Sequence, residues 1–354
     1  MRKQLPDFPW DALAPFGDKA RLHPGGIIDL SQGTPVDPTP QFIRKALEAN
    51  SDSPRYPLTA GTPELRESIS TWARNHLAAT GEFDVLPLIG SKELVAWLPT
   101  FLESRKVLYP EIAYPTYLVG ALIGEAEAIA VQIDPASWPA ADLAWINSPS
   151  NPTGRVHSES ELRAALHWSR SHAAVLVSDE CYIDFGDTAK PTSILKYTGG
   201  DNKNILAVHS LSKRSSMAGY RGAFLIGDSS LIASIRELRK HAGMMVPLPV
   251  QHAMVAALSD ETHVEEQRAR YNARKAALRP ALEAHGFRIE ESAAGLYLWA
   301  TRSEDCWKSV DWLASFGILA TPGSFYGVAG NRHIRIAMTA TDLQINQAVE
   351  RLAL

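Results

Sequence analysis

Four loops in this chain collect residue types that do chemistry together. Gly90-Ser91-Lys92 offers backbone N–H groups and a hydroxyl where a helix opens, an arrangement that takes anions. The run Asn147-Ser148-Pro149-Ser150-Asn151-Pro152-Thr153-Gly154 offers amides among turn-forming residues. Ser178-Asp179-Glu180-Cys181-Tyr182 brings a carboxylate and a phenol, and His209-Ser210-Leu211-Ser212-Lys213-Arg214 brings hydroxyls and an amine. Singly, each has a plainer reading: a helix cap, a turn, a second cap, a solvated lysine. Together, in this order and at one sheet edge, they form a coherent set of phosphate donors, amide, carboxylate, phenol and lysine.

The elements that must position them are legible in the apolar pattern. Val85–Ile89, Lys106–Tyr109, Ala128–Ile133, Leu143–Ile146, Ala173–Val177, Ile205–Val208 and Ala223–Ile226 are strand-sized apolar runs. Helix-compatible segments such as Lys92–Leu102, Glu159–Ser171 and Leu231–His241 separate most of them. Apolar runs without polar alternation predict strands buried on both faces, and the intervening helices predict an α/β domain with a largely parallel sheet. Ligands of such sheets sit outside the carboxyl ends of the strands, where all four loops fall.

Flanking segments differ. The Pro- and Gly-rich first forty residues predict an extended arm. One helix is predicted from near Pro40 to about Glu48. Another follows Thr62, with Thr62 as cap, Pro63 at the first helical position and Glu64 suiting the dipole. Beyond Pro247-Leu248-Pro249 a long helical stretch, Val250 to about His285, leads to strand-like pieces Gly295–Thr301 and His333–Met338. The division expected is a large domain, 41–246, with a mostly parallel sheet between helices, and a smaller α+β domain from 1–40 and 247–354. A chain of 354 residues suits two domains at roughly 100–200 residues each.

In this order the motifs resemble the class I/II aminotransferases of pyridoxal-phosphate fold type I. The resemblance rests on Asn151-Pro152-Thr153-Gly154, Asp179-Glu180-Cys181-Tyr182, and Ser210-Leu211-Ser212-Lys213 followed by Gly219-Tyr220-Arg221. Tyr56 to Arg66, Gly90-Ser91-Lys92-Glu93, Tyr114-Pro115-Thr116-Tyr117 and His333-Ile334-Arg335-Ile336-Ala337 support it. It implies pyridoxal 5'-phosphate as cofactor and amino acids with 2-oxo acids as substrates. It makes Lys213 the catalytic amine that bonds the cofactor aldehyde and then moves the substrate Cα proton. Such a lysine must lose its proton near neutrality, which cations and desolvation favour. Asp179 would pair with the ring nitrogen and keep it protonated, so that the ring draws electrons. Asn151 and Tyr182 would reach the phenolic oxygen, and Tyr114 would stack on the ring. Ser91, Lys92, Ser210, Ser212 and Arg221 would hold the phosphate, Lys92 through its backbone N–H rather than its side chain. Tyr56 would reach the phosphate of a neighbouring subunit, implying a homodimer with composite sites. Arg335 would take the substrate α-carboxylate in two parallel hydrogen bonds, helped by Gly33 and Asn151. Without the resemblance, Arg335 reads as an exposed strand-edge residue. His209 is expected to be structural, and Cys181 to pack under the sheet.

A narrower resemblance points to the N-succinyldiaminopimelate aminotransferases of actinobacterial lysine biosynthesis. It rests on Leu5 to Asp11, Gly26 to Asp37, Tyr56 to Thr62 and Ala293 to Trp299. It implies amino transfer between glutamate and a succinylated amino-oxo-heptanedioate. The distal acidic groups would need cations, and Arg21, Arg155 and Lys240 are candidates only as basic residues. Another aminotransferase, for aspartate or aromatic amino acids, or a β-lyase would keep the same cofactor residues. A transcription regulator on this fold would need a DNA-binding module ahead of the domain, where only the Pro-rich arm stands.

Composition excludes other classes. Lys and Arg number 35 against 39 Asp and Glu, so no basic surface for nucleic acid is expected. No run of about 18 apolar residues predicts a membrane span, and Met1 to Pro9 lacks the apolar segment of a signal peptide. Two cysteines make no disulfide framework, and the expected compartment is the reducing cytoplasm. No metal-binding spacing, GxGxxG, Walker A or GxSxG motif occurs.

Overall fold

Strands account for the placement of nearly every motif, and a computed structural model describes them within residues 5–353. Met1–Gln4 and Leu354, part of the expected smaller domain and of the amino-terminal reading, lie outside the described residues. The strands are β1 (Ile28–Asp29), β2 (Asp84–Ile89), β3 (Lys106–Pro110), β4 (Glu127–Val131), β5 (Leu143–Asn147), β6 (Val175–Asp179) and β7 (Ile205–Ser210). They continue with β8 (Gly222–Gly227), β9 (Arg288–Glu290), β10 (Tyr297–Thr301), β11 (Ile318–Leu319), β12 (Thr321–Pro322) and β13 (Ile334–Ala337).

Seven of them form one sheet in the order β2-β8-β7-β6-β5-β3-β4. Only β8 runs against its neighbours; every other pairing is parallel. The connection from β7 to β8 is residues 211–221, short of the crossover of about a dozen or more that a parallel return needs. Every residue of β5, β7 and β8 is buried, as uninterrupted apolar runs demand when helices cover both faces. Alternation sends Leu176 into the core with Ile43, Leu65 and Trp72, and Val177 into the opposite core with Leu94, Tyr117 and Trp145. The fold is therefore the α/β architecture expected of pyridoxal-phosphate fold type I, a mostly parallel sheet between helices beside a smaller antiparallel sheet.

The smaller sheet has the order β12-β13-β10-β9, all antiparallel. The amino-terminal arm joins it: β1 pairs in parallel with β11, and Leu13, Ile28 and Leu30 share a core with Leu296, Ile334 and Ile345. Thr62 caps Pro63–His76 as read from the sequence, its Oγ1 accepting from Leu65 N at 3.1 Å.

The stretch expected as one helix from Val250 to His285 is two, Leu248–Leu258 and Thr262–Ala284. Asp260 breaks it by accepting the His263 N–H at 3.0 Å, closing the start of the second helix with its side chain. Ala253, Met254 and Ala257 of the first helix fill the core around Ile43 and Leu65. This helix, which follows residue 246, thus packs on the core of the larger sheet. Among the described residues no helix is long and apolar enough to cross a membrane.

Candidate active site

Where β5, β6 and β7 end, a cavity of about 700 Å³ opens. Gly33, Ser91, Lys92, Tyr114, Asn151, Asp179, Tyr182, Ser210, Ser212, Lys213, Arg221 and Arg335 all line it. Tyr56 does not; it is 93% exposed on the surface of the single chain.

One end is a cradle for an anion. Gly90 has φ +75° and delivers Ser91 and Lys92 to the start of the helix Ser91–Phe101, whose first N–H groups are free of intrahelical partners. A Cβ on Gly90 would meet the Arg221 guanidinium packed over it, and the positive φ there disfavours any side chain. Ser210 Oγ donates to Ser212 Oγ at 2.9 Å and accepts from Ser212 N at 3.2 Å, holding both hydroxyls at the cavity wall. The Lys92 ammonium instead lies over the Phe8 ring, 5.6 Å from its centre.

Lys213 stands beyond these serines and donates to Gly33 O. Burial, then the Arg335 and Arg221 charges, lower its pKa to about 8. The amine is thus within reach of its neutral, nucleophilic form. Asp179, at the end of β6, accepts from Tyr117 Oη at 2.8 Å and from Cys181 N at 3.1 Å. Among the described residues no cationic nitrogen pairs with it, and burial pushes its carboxyl up. A buried acid so placed suits a cationic ring N–H.

Arg335 presents the complementary vacancy of charge. It is 3% exposed, and no carboxylate pairs with it among the described residues. Nη1 donates to Asn151 Oδ1 at 2.9 Å and Nη2 to Ser31 O at 2.5 Å, while Nε has no partner. Its guanidinium carbon lies 4.3 Å from the Tyr297 ring centre and 5.1 Å from that of Tyr326. A fork held this way, with donors to spare, suits a carboxylate.

A model of the family described as aminotransferase class I and II matches residues 25–352. The chain belongs to the class I and II aminotransferases. It is 50% identical over 358 residues to the 4-dedimethylamino-4-oxo-anhydrotetracycline transaminase OxyQ of Streptomyces rimosus, covering 99% of each chain. It is 52% identical over 360 residues to the probable aminotransferase Rv1178 of Mycobacterium tuberculosis, covering 98% of this chain and 85% of that one. Among solved structures it resembles a probable N-succinyldiaminopimelate aminotransferase of Thermus thermophilus, with TM-score 0.89 and 26% identity over 98% of this chain and 99% of that chain.

This aminotransferase is pyridoxal-phosphate dependent, and its cavity fits the group. An anion cradle, a lysine able to lose its proton and an unpaired buried carboxylate match the phosphate, the aldehyde and the ring nitrogen respectively. Tyr182 Oη lies 2.9 Å from Tyr297 Oη, and burial pushes its phenol well above the usual range, leaving a neutral hydrogen-bonding group.

Several readings from sequence need correcting. Arg335 is no edge residue: β13 lies between β12 and β10, and both faces of that sheet are covered. Cys181 lines the cavity as well as packing against the cores on either side of it, and burial and the Asp179 charge push its thiol well up. Arg21 pairs with Asp18, Lys240 with Glu237 and Arg155 with Glu161, and none lines this cavity. His209 is buried behind it between Trp72 and Phe224, 3.3 Å from Glu180.

Sequence reasoning missed four supporting residues. Asn147 accepts from Asn151 N at 2.8 Å and donates to Asp179 O at 2.8 Å, tying the two loops together. Tyr117 holds Asp179, Tyr297 holds Tyr182, and Trp10 packs 5.4 Å from Phe325 on the cavity wall. Asn147 and Tyr117 stood inside quoted motifs, so their type and strand-end or helix-start position were the available signal. Tyr297 and Trp10 stood inside the segments quoted for the narrower resemblance, but nothing local marked their contacts with partners far along the chain.

Proposed function

We propose that the aminotransferase moves an amino group between glutamate and a second 2-oxo acid, with the residues of this cavity in the roles that the motif resemblance implies. The observation that carries this reading is the pair of unmatched charges in one cavity: a buried guanidinium with no carboxylate and a buried carboxylate with no cation. Bound pyridoxal phosphate supplies an electron sink for the substrate Cα. Lys213 takes and returns the Cα proton, and Asp179 keeps the ring nitrogen protonated. Asn151 and Tyr182 hydrogen-bond the phenolic oxygen, and Tyr114 covers the ring face. Ser91, the Lys92 N–H, Ser210, Ser212 and Arg221 bind the phosphate. Arg335 orients the substrate through its α-carboxylate, with Gly33 behind it. Exposed Tyr56 acts in the site of a second copy, giving a homodimer.

For the second substrate we propose N-succinyl-LL-2,6-diaminopimelate, in lysine and diaminopimelate biosynthesis. Its support is likeness to the Thermus protein, together with Lys92, a cation of the cavity wall beside Phe8 that could turn to a distal carboxylate. A second reading, a large ring-bearing substrate, draws on the wall of Phe8, Trp10, Leu118 and Phe325 and on the similarity to OxyQ. A panel of amino donors against 2-oxoglutarate separates them. Turnover of the succinylated donor at least tenfold above glutamate analogues supports the first, and its absence with turnover of ring-bearing amines supports the second. Release of ammonia and pyruvate without glutamate formation would mean a β-lyase instead. The division 41–246 against 1–40 with 247–354 stays a proposal, supported by separate sheets. A reducing, cytoplasmic setting is likewise proposed, since Cys181 and Cys306 are both free thiols.

A further inference from the structure

Lys213 is carried by a helix only four residues long, Leu211–Arg214. A single turn does not hold itself in water, since helices below about 12 residues are marginal alone. The direction in which Lys213 leaves it is therefore set by whatever grips its neighbours. On the catalytic side the grip is the bonded pair of Ser210 and Ser212. On the other side it is Arg214 and Ser215, which line a separate cavity of about 550 Å³ and not the catalytic one.

Arg214 is buried and stands between two carboxylates. Its Nη2 donates to Glu261 Oε1 at 2.7 Å, its Nε lies 3.5 Å from Asp184 Oδ2, and its guanidinium carbon sits 5.0 Å from the centre of the Trp72 ring. Trp72 Nε1 donates to the same Glu261 oxygen at 3.1 Å, and His76 Nε2 lies 2.7 Å from Asp184 Oδ1. Against the upward push of burial, the Arg214 charge and the His76 bond hold the Asp184 carboxyl at about 2, so it faces Arg214 as an anion. Ser215 is gripped beside it: its Oγ is 2.8 Å from His263 Nε2, and His263 Nδ1 is 2.8 Å from Asp260 Oδ2. Asp260, Glu261 and His263 all stand where the helix Leu248–Leu258 gives way to Thr262–Ala284. That turn thus takes hold of the two residues that directly follow the lysine. Successive helical residues point about 100° apart, so fixing Arg214 fixes the direction of Lys213. A planar guanidinium bonded on two sides and laid on an aromatic face makes a stiff anchor.

We propose that Arg214, clamped by Asp184 and Glu261, is a positioning residue that aims the Lys213 amine into the catalytic cavity from outside it. The inference rests on Lys213 being the lysine that bonds the cofactor, as proposed above. Two variants test it. Arg214→Lys keeps a buried positive charge opposite Asp184 but cannot reach both carboxylates and cover Trp72. Glu261→Ala removes one partner at a side chain 42% exposed, where the fold tolerates the change. In the cofactor-free proteins, reductive ¹³C-methylation and NMR titration report the Lys213 pKa. It should climb from about 8 towards 10.5, by roughly half a unit or more, as the amine shifts relative to Arg335 and Arg221. In the loaded proteins the saturating rate of the glutamate half-reaction should fall on the order of tenfold, part of the roughly 100-fold that a 1 Å misplacement costs. The half-saturating glutamate concentration should hold, because Arg335 is untouched. An unmoved Lys213 pKa in the folded variants, or saturating rates equal to the parent's, would overturn the role. Cofactor attached to another lysine in the parent would overturn the functional reading along with it, and peptide mapping of the parent reads that separately.

Discussion

Replacing Arg335 by Lys keeps the charge and removes the fork, and the structure sets the size of the effect. The guanidinium donates to Asn151 Oδ1 and Ser31 O and still has N–H groups free, Nε among them. An ammonium has too few donors to keep both protein bonds and grip both oxygens of a carboxylate. The variant therefore loses one hydrogen bond to a charged group, about 1.5–3 kcal/mol. That corresponds to a fall of roughly 10- to 150-fold in kcat/KM for glutamate. The assay is the glutamate half-reaction followed by absorbance, with cofactor affinity measured beside it and expected to hold, since Arg335 is assigned to substrate. An amine lacking the α-carboxylate should react equally well with both proteins. A fall of less than threefold, or the same fall with that amine, would refute the assignment of Arg335.

Three further outcomes are expected. A Lys213 pKa of about 8 lies below the usual 10.5, so the cofactor-free unfolded chain binds one more proton between those values. Stability relative to Lys213→Met should accordingly rise from pH 8 to 10.5, and the rate of cofactor capture should rise through pH 8; denaturant titrations and stopped-flow absorbance read both. Gly33→Ala puts a Cβ against Tyr297 Oη, displacing the Tyr182 partner and the Lys213 acceptor. Steady-state kinetics should show a loss on the order of 100-fold, as misplacements near 1 Å produce, and a loss under threefold would mean that Tyr297 simply yields. Mixing inactive Tyr56→Ala and Lys213→Ala proteins should restore activity if sites are composite; no recovery would mean that each chain is self-sufficient.

The strand-end loops were legible because residue type and position coincide there: a buried apolar run fixes where β6 ends, and Asp179 is its last residue. Lys213 and Asn151 follow from the same logic. Arg335 was legible as a candidate, but its burial at the cavity wall was not, because a period-two pattern does not reveal a cover on both faces of a short sheet. The break at Asp260 was hidden by helix-compatible residues on either side, and only the side-chain bond to His263 N decides it. Tyr297 and Trp10 fell within quoted segments, yet nothing local in a strand tyrosine or an arm tryptophan announces contacts with Tyr182 or Phe325.

Reducing the cofactor-loaded protein with borohydride and mapping the modified peptide tests the central assignment most directly. The account predicts the pyridoxyl group on Lys213 alone, with Lys213→Ala unlabelled. Label on any other lysine, or full turnover by Lys213→Ala, would contradict it.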